Sequence, residues 1–538
     1  MVKHMILKNI LVTAVVLLMV GTGTSTNIQS VKKVDTSTDE YPHGMIGSSG
    51  IVFSGNTIYV DDNNTDGPWD GTLEHPYRYL QDGVNASRIG DTVYVFNGTY
   101  SCRNFTMKRK SIQLLGENKN TTVFYGFITI SNAHGFTISG FTFRPYPLSN
   151  GSWTECLDIS SSSRFTITNN VFENIGDQIT DAIWVATSSG WIISDNRFKS
   201  SDKGQDGWIS AWFVFNYLIE DNTFEQTHFY NEAIVVIATA GGTIVRNTII
   251  GNPQSPASKG ISVSSSIFVN ISDNFISYAE SGLTLGGLPF LTRKLLVANN
   301  TIINCEIGMV CVGLEDSIIT KNWVTGGYES IVLLLLSSRN LVYKNTLQHA
   351  YGDITAAIMI EDFCSFNRVI ANQISNNSCG AALYLVVSPK RGNQVINRFH
   401  LNNFEHNDES AWDCYLSLWY KPKGLFRGEG NYWDDYTGVD ANGDGIGDNP
   451  YIIPGWISKD RFPLMEPVDI DNVTECDAEV SRLSRILDRG ATAADIMLIT
   501  ALGSLLPNSM LKPRFQDTIL PTVASDSLGT INNQSLYT

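Results

Sequence analysis

The sequence predicts an all-β fold, a right-handed parallel β-helix of about 10 to 12 coils. Two observations carry that prediction. The first is a short pattern, apolar-x-x-Asn-x-apolar, that recurs nine times: at Asn170, Asn196, Asn222, Asn247, Asn274, Asn300, Asn322, Asn345 and Asn372. The intervals are 26, 26, 25, 27, 26, 22, 23 and 27 residues, too regular for chance. The second is a short apolar run some residues after each Asn, such as Ala182–Val185, Ala233–Val236 and Gly260–Val263, whose period of two marks a strand. One such repeat cannot bury its own apolar face. Stacked coils can, with each strand paired in parallel to its equivalent one repeat later.

The recurrent Asn has a physical use in that geometry. It tolerates a left-handed turn, and its amide can hydrogen-bond to the Asn above and below. A weaker tenth copy is expected at Asn397–Phe399, and an earlier one around Ile138–Phe143 lacks the Asn. With rungs about 4.8 Å apart, the coils make a rod on the order of 50 Å long. The leucine-rich-repeat frame is absent.

The rest of the chain follows from this core. Residues 1–26 carry Lys3 and Lys8 before an apolar run, Ile10–Val20, and read as a signal peptide or N-terminal anchor. Residues 27–50 are a linker, and 51–125 an N-terminal cap and first coils, with strands at Ile58–Val60 and Thr92–Phe96 and a helix over His75–Ser87. The repeats run over 126–430. Residues 431–468 form an aromatic and calcium-loop cap, and 469–538 a helical, partly disordered tail.

Composition narrows the partners. Lys plus Arg is 37 and Asp plus Glu 53, a formal charge of −16, which argues against a nucleic-acid-binding surface. Cations, extracellular glycans and cell-envelope components fit better, with any membrane anchoring through the N-terminus only. Eleven Asn-x-Ser/Thr sequons (Asn63, Asn85, Asn97, Asn104, Asn120, Asn150, Asn270, Asn299, Asn376, Asn472, Asn533) are glycosylation candidates in an exported chain. The eight cysteines show no zinc spacing. Their even number permits disulfides and equally permits buried thiols.

Two segments carry a family resemblance. "IYVDDNNTDGPWDGTLEHPYRYLQDGVNAS…GDTVYVFNGTY" (58–100) and "GNYWDDYTGVDANGDGIGDNPYIIPG…DRFPLMEP" (430–467) resemble archaeal exported right-handed β-helix proteins. That group is similar to NosD-type periplasmic copper-accessory proteins, with coils of the CASH class found in carbohydrate-binding proteins and sugar hydrolases. The resemblance implies a pectin-lyase-like fold and an exported location. It says little of activity, because this fold hosts many.

Three constellations could carry chemistry. Asp440, Asn442 and Asp444, then Gly445, Ile446 (through its carbonyl) and Asp448, are spaced like the first part of a calcium loop. Tyr451 stands where an EF-hand has its bidentate Glu, so any Ca²⁺ needs further ligands, with Asp434 and Asp435 as candidates. Aligning the repeats next places Glu155 or Asp158, Asp181, Asp206, Glu232 and Lys259 in one row before the second strand. Asp181, Asp206 and Glu232 are the catalytic candidates, as acids this close raise a pKa or recruit a cation. Finally, Trp153, Trp184, Trp191, Trp208 and Trp212 crowd the same coils, and Trp184, Trp208 and Trp212 are candidates for stacking on sugar rings. Function is therefore expected to be glycan binding or a structural envelope role, with a polysaccharide lyase or hydrolase as the alternative. The histidines are scattered, which argues against copper transfer.

Overall fold

The structure is a computed structural model. It describes residues 55–145, 155–173, 181–199, 207–225, 232–254, 259–287, 291–352, 355–361, 363–384, 396–414, 417–424, 427–455 and 457–503. The expected signal segment and linker lie outside these residues.

The chain winds into a right-handed parallel β-helix of about eleven turns. One coil shows the plan. Ile192–Ser194 lies on a first side, and the chain turns at Asn196. Arg197–Lys199 forms a second side, a connection follows, and Gly207–Trp212 forms a third. The chain then bends back to the first side at Phe215–Glu220. Each strand pairs in parallel with its equivalent: Ile193 with Ile167 and Ile219, Phe198 with Phe172 and Phe224, Ile209 with Ile183 and Ile234. Because equivalents stack, apolar columns form without any one coil being stable alone. Phe143, Phe172, Phe198 and Phe224 make such a column, with successive ring centroids 5.1, 4.9 and 4.6 Å apart.

The asparagines form a continuous ladder. The Asn222 Oδ1 accepts from the backbone N–H of Asn196 at 3.0 Å and from its Nδ2 at 3.1 Å. The Asn196 Nδ2 also donates to the Ile167 carbonyl at 2.9 Å. The pattern runs from Asn170 to Asn431, satisfying polar groups that the turn would otherwise bury unpaired. Phe141 takes the Asn place in the earlier copy and donates its N–H to Asn170.

Two details differ from expectation. From Asn170 to Asn402 the left-handed residue is the one before the ladder Asn, as at Asp195 (φ 55°), Asp221 (φ 54°) and Arg246 (φ 55°). The Asn itself is thereby free to point inward. The tenth rung is Asn402, whereas Asn397 stands in a separate short column with Asn340 and Asn367.

Both ends are closed. At the start, Tyr59 exchanges backbone bonds with Gly71 and Tyr77, so the edge strand Thr57–Val60 is covered. Helix α1 (Leu80–Ala86) buries Leu80 and Val84 beneath it, shorter than the sequence suggested. At the far end Trp433 stacks between Phe404 (4.4 Å) and Tyr451 (4.2 Å). The tail forms two helices broken at Gly490, α2 (Asp477–Leu487) and α3 (Ala493–Gly503). They run back along the first side. Leu483 packs with Leu341, Tyr343 and Ile370, and Ile499 with Ala238, Ala240 and Ile267. None of the eight cysteines is joined in a disulfide.

Candidate functional site

Connections between the second and third sides are not uniform. From Ser277 to Ser281, Ile303 to Ile307 and Thr325 to Glu329 only three residues intervene. Over five earlier coils the same corner holds 145–156, 174–180, 200–206, 226–231 and 251–258. A later coil also has a longer connection there, 349–357, but consecutive long connections on a scaffold that needs only three residues make this the corner where a candidate site is sought.

The acid row re-enters the third side at that corner. Asp181 is in register with Gly207, and Glu232 with Lys259. Glu155 precedes Leu157 by two residues as Asp181 precedes Ile183, and Leu157 pairs with Ile183. The row is therefore Glu155, Asp181, Gly207, Glu232 and Lys259. The expected member Asp206 is out of register by one residue, because the strand alignment assigns Gly207 to that position, and Asp206 lies outside the described residues. Asp181 and Glu232 do share a face, two rungs apart.

The electrostatics follow from this placement. Asp181 accepts a 2.5 Å hydrogen bond from Ser210 Oγ. Burial pushes its carboxyl up to about 7, and the charges of Glu155 and Glu232 push the same way against the Ser210 bond. Glu232 Oε1 accepts from Lys259 Nζ at 3.2 Å and from Ser262 Oγ at 3.1 Å.

The tryptophans divide. Trp184 and Trp212 are half-buried, with ring centroids 5.5 Å apart and planes inclined by 33°. Trp208 is a correction. It is 2% exposed and packs on Phe198 at 5.6 Å inside the coil, so it cannot meet a sugar. The strand bends as it enters the third side, and position 208, in line with Ala182 and Ala233, faces the core. Trp191 is also interior, between Phe165 and Tyr217. Trp153 lies outside the described residues. The sign that could have separated them is the repeat frame: Trp208 sits where other coils have a small residue, such as Cys156, Ala182, Ala233, Gly260, Gly282 or Ser330.

The loop at Asp440 folds tightly. Asp440 accepts from the N–H groups of Gly443 (2.8 Å), Asp444 (3.2 Å) and Gly445 (2.8 Å), which hold its carboxyl below the usual range. Asn442 accepts from Asp444 N–H, and Asp444 from Ile446 N–H. Asp448 accepts from Ala441 N–H at 2.8 Å. Asp434 and Asp435, proposed as completing ligands, accept instead from His406 N–H and the Tyr451 hydroxyl. Among the described residues no three His, Cys, Asp or Glu converge as metal ligands. The His400 Nε2 faces Glu475 at 3.1 Å, and burial pushes the Cys305 thiol up to about 12.

Several solved structures resemble the chain at low sequence identity. The chain is 13% identical to the catalytic unit of an α-1,3-glucanase from Streptomyces thermodiastaticus, covering 67% of this chain and 70% of that one, TM-score 0.48. It is 13% identical to the A-module of mannuronan C-5 epimerase AlgE6 of Azotobacter vinelandii (67% and 97%, TM-score 0.43). A mannuronic-acid-specific family 6 lyase from human gut microbiota is 15% identical (71% and 88%, TM-score 0.43). The chain spans 64% of the glucanase catalytic domain solved with nigerose. No curated protein matches the sequence. A family model does match, over residues 148–351 and 292–438, together more than half of the 538 residues. The chain belongs to the family described as periplasmic copper-binding protein (NosD).

Proposed function

We propose that this is an exported glycan-binding protein of the cell envelope, and that its ligand lies at the corner carrying the long connections. The observation that carries this reading is the Trp184–Trp212 pair beside the acid row, on the coils with the insertions. Exposed aromatic faces stack on sugar rings, and carboxylates accept from hydroxyls. Export is supported by the N-terminal apolar run and by the periplasmic description of the family. Sequon residues Asn63, Asn85, Asn97, Asn120, Asn299, Asn376 and Asn472 are exposed and open to glycosylation. Asn270 is not, since it is half-buried with its Nδ2 bonded to Ser272. Ca²⁺ at Asp440, Asn442, Asp444, the Ile446 carbonyl and Asp448 is a further part of the proposal, supported by the ligand spacing.

A second reading, a glycan hydrolase, is favoured by Asp181. A carboxyl held near neutrality suits a general acid, and Glu232 two rungs away would serve as base. Two rungs are about 10 Å, near the roughly 6.5–9.5 Å that inverting enzymes use, and Gly207 puts no side chain between them. A glycan array with a depolymerisation assay tests both. Binding without products supports the first reading, products lost in Asp181→Asn support the second, and silence in both assays rejects them.

A further inference from the structure

Helix α3 is apolar on every side, with Ala493, Ala494, Ile496, Met497, Leu498 and Ile499 in sequence around Asp495. A helix of this kind belongs in a core or in lipid. The rod covers only one of its faces, where Ile499 is 1% exposed against Ala238, Ala240 and Ile267. The opposite stripe, Ala494, Met497 and Leu498, has i, i+3, i+4 spacing and faces solvent. Met497 is 65% exposed and Leu498 39%. Half-buried Phe213, Phe215 and Phe268 extend the apolar area on the rod itself.

The charges beside this patch identify what covers it. Arg482, Arg485 and Arg489, on α2 and the turn after it, are exposed and form no ion pair among the described residues. α2 also carries Asp477 and Glu479, which meet Tyr343, Lys344 and Arg368 on the rod; the acids nearer the apolar stripe are Asp488 and Asp495, and Asp495 is bonded to the hydroxyl and N–H of Thr492. The sequence beyond α3 then carries no charge until Lys512 and Arg514. Exposed arginines that pair with no carboxylate among the described residues, on the helix and turn leading into an apolar stripe, complement an anionic surface with an apolar interior, on a chain whose net charge is −16. A second copy of the chain fits less well, since a two-fold contact would bring the arginines together. No described helix is long and apolar enough to cross a membrane.

We infer that α2 and α3 lay the rod lengthwise on an anionic lipid bilayer, with Met497 and Leu498 in the interface and Arg482, Arg485 and Arg489 at headgroup phosphates. This does not depend on the glycan reading. It has a geometric consequence for it, however. The tail covers the first side, and the corner between the second and third sides is the one that the first side does not border. Asp181 and Glu232, which enter the third side at that corner, would then lie away from the lipid.

The test is flotation of the full chain with vesicles of phosphatidylcholine, alone or mixed with phosphatidylglycerol. Binding is expected to the mixed vesicles, weakening with salt. Met497→Glu with Leu498→Glu should lower it on the order of tenfold or more with the melting temperature unchanged, because both side chains are exposed. Arg482→Ser with Arg489→Ser should remove much of the salt dependence. No flotation overturns the inference. So does flotation undiminished in the double-Glu variant, which would assign it to the N-terminal apolar run. Sedimentation showing a dimer that the double-Glu variant dissolves would assign the patch to a second copy.

Discussion

Asp460 stands one coil beyond Asn431, in the place where the ladder would need another asparagine. Its Oδ2 accepts from the Asn431 N–H at 2.7 Å and from Trp433 Nε1 at 3.1 Å, while Oδ1 accepts from the Phe462 N–H at 3.0 Å. A carboxylate can only accept, and every group facing it donates. The polarity of the ladder, each Asn donating to the next, is thereby ended by a residue with nothing to pass on.

This cap predicts a pH dependence. Burial pushes the Asp460 carboxyl up to about 6 from an ordinary 3.8. The four donated bonds favour the carboxylate, but burial outweighs them, so relative to the unfolded chain the fold favours the neutral acid. Its contribution is complete below about pH 4 and is lost as pH rises through 6. Asp460→Asn should remove that part of the stability loss between pH 4 and 7, although its amide would face the Phe462 N–H and lower stability throughout. Melting temperatures of both proteins across this range decide it, and parallel curves would exclude Asp460 as the titrating group.

Mid-ladder residues should matter more than their small size suggests. Asn300 accepts from the N–H and Nδ2 of Asn274 and donates to Ile271 O and Asn322 Oδ1. Asn300→Ala leaves several buried polar groups unpaired, at about 1–3 kcal/mol each. Denaturant unfolding should show a loss of several kcal/mol, against little change for the neighbouring Thr301→Ala. Equal effects would reduce the ladder to ordinary turn chemistry.

The ladder also marks how far the sequence could be read. Its Asn side chains recur at one interval because each coil repeats the same buried demand, so fold and register were legible from Asn170 to Asn372. Single positions were less so. The shift from Asp206 to Gly207 and the inward turn of Trp208 depend on where a strand bends at the corner, and composition holds no trace of that bend. The return of the tail along the first side was illegible too. It rests on contacts such as Tyr343 with Asp477, 134 residues apart in sequence.

The tryptophans should separate recognition from folding. Trp184→Ala and Trp212→Ala remove half-exposed rings and should weaken glycan affinity with little change in stability. Trp208→Ala empties an interior site at a cost of about 3–5 kcal/mol. Affinity and melting temperature measured on all three variants test the assignment. A stability loss in Trp184→Ala equal to that in Trp208→Ala would make both structural.

Calcium is tested by calorimetry on the purified chain. Asp440→Ala removes the acceptor of three loop N–H groups and could unfold the loop by itself. Asp448→Ala breaks one backbone contact and is the better variant. Binding that Asp448→Ala weakens on the order of tenfold or more supports the site. Absence of a binding isotherm removes Ca²⁺ from the proposal.

The pH profile of Asp181 distinguishes enzyme from binding module. If Asp181 is a general acid, turnover should fall as pH rises above about 7, where its proton is lost. The hydrogen bond from Ser210 favours the charged form and so opposes the effect of burial. Ser210→Ala should therefore raise the Asp181 pKa and move the falling limb to higher pH while turnover persists. Asp181→Asn should abolish turnover with the fold intact. A purely structural role for Ser210 would change activity without moving the limb. A binding module would show no products at any pH, and its affinity would depend on Trp184 and Trp212 rather than on the protonation of Asp181.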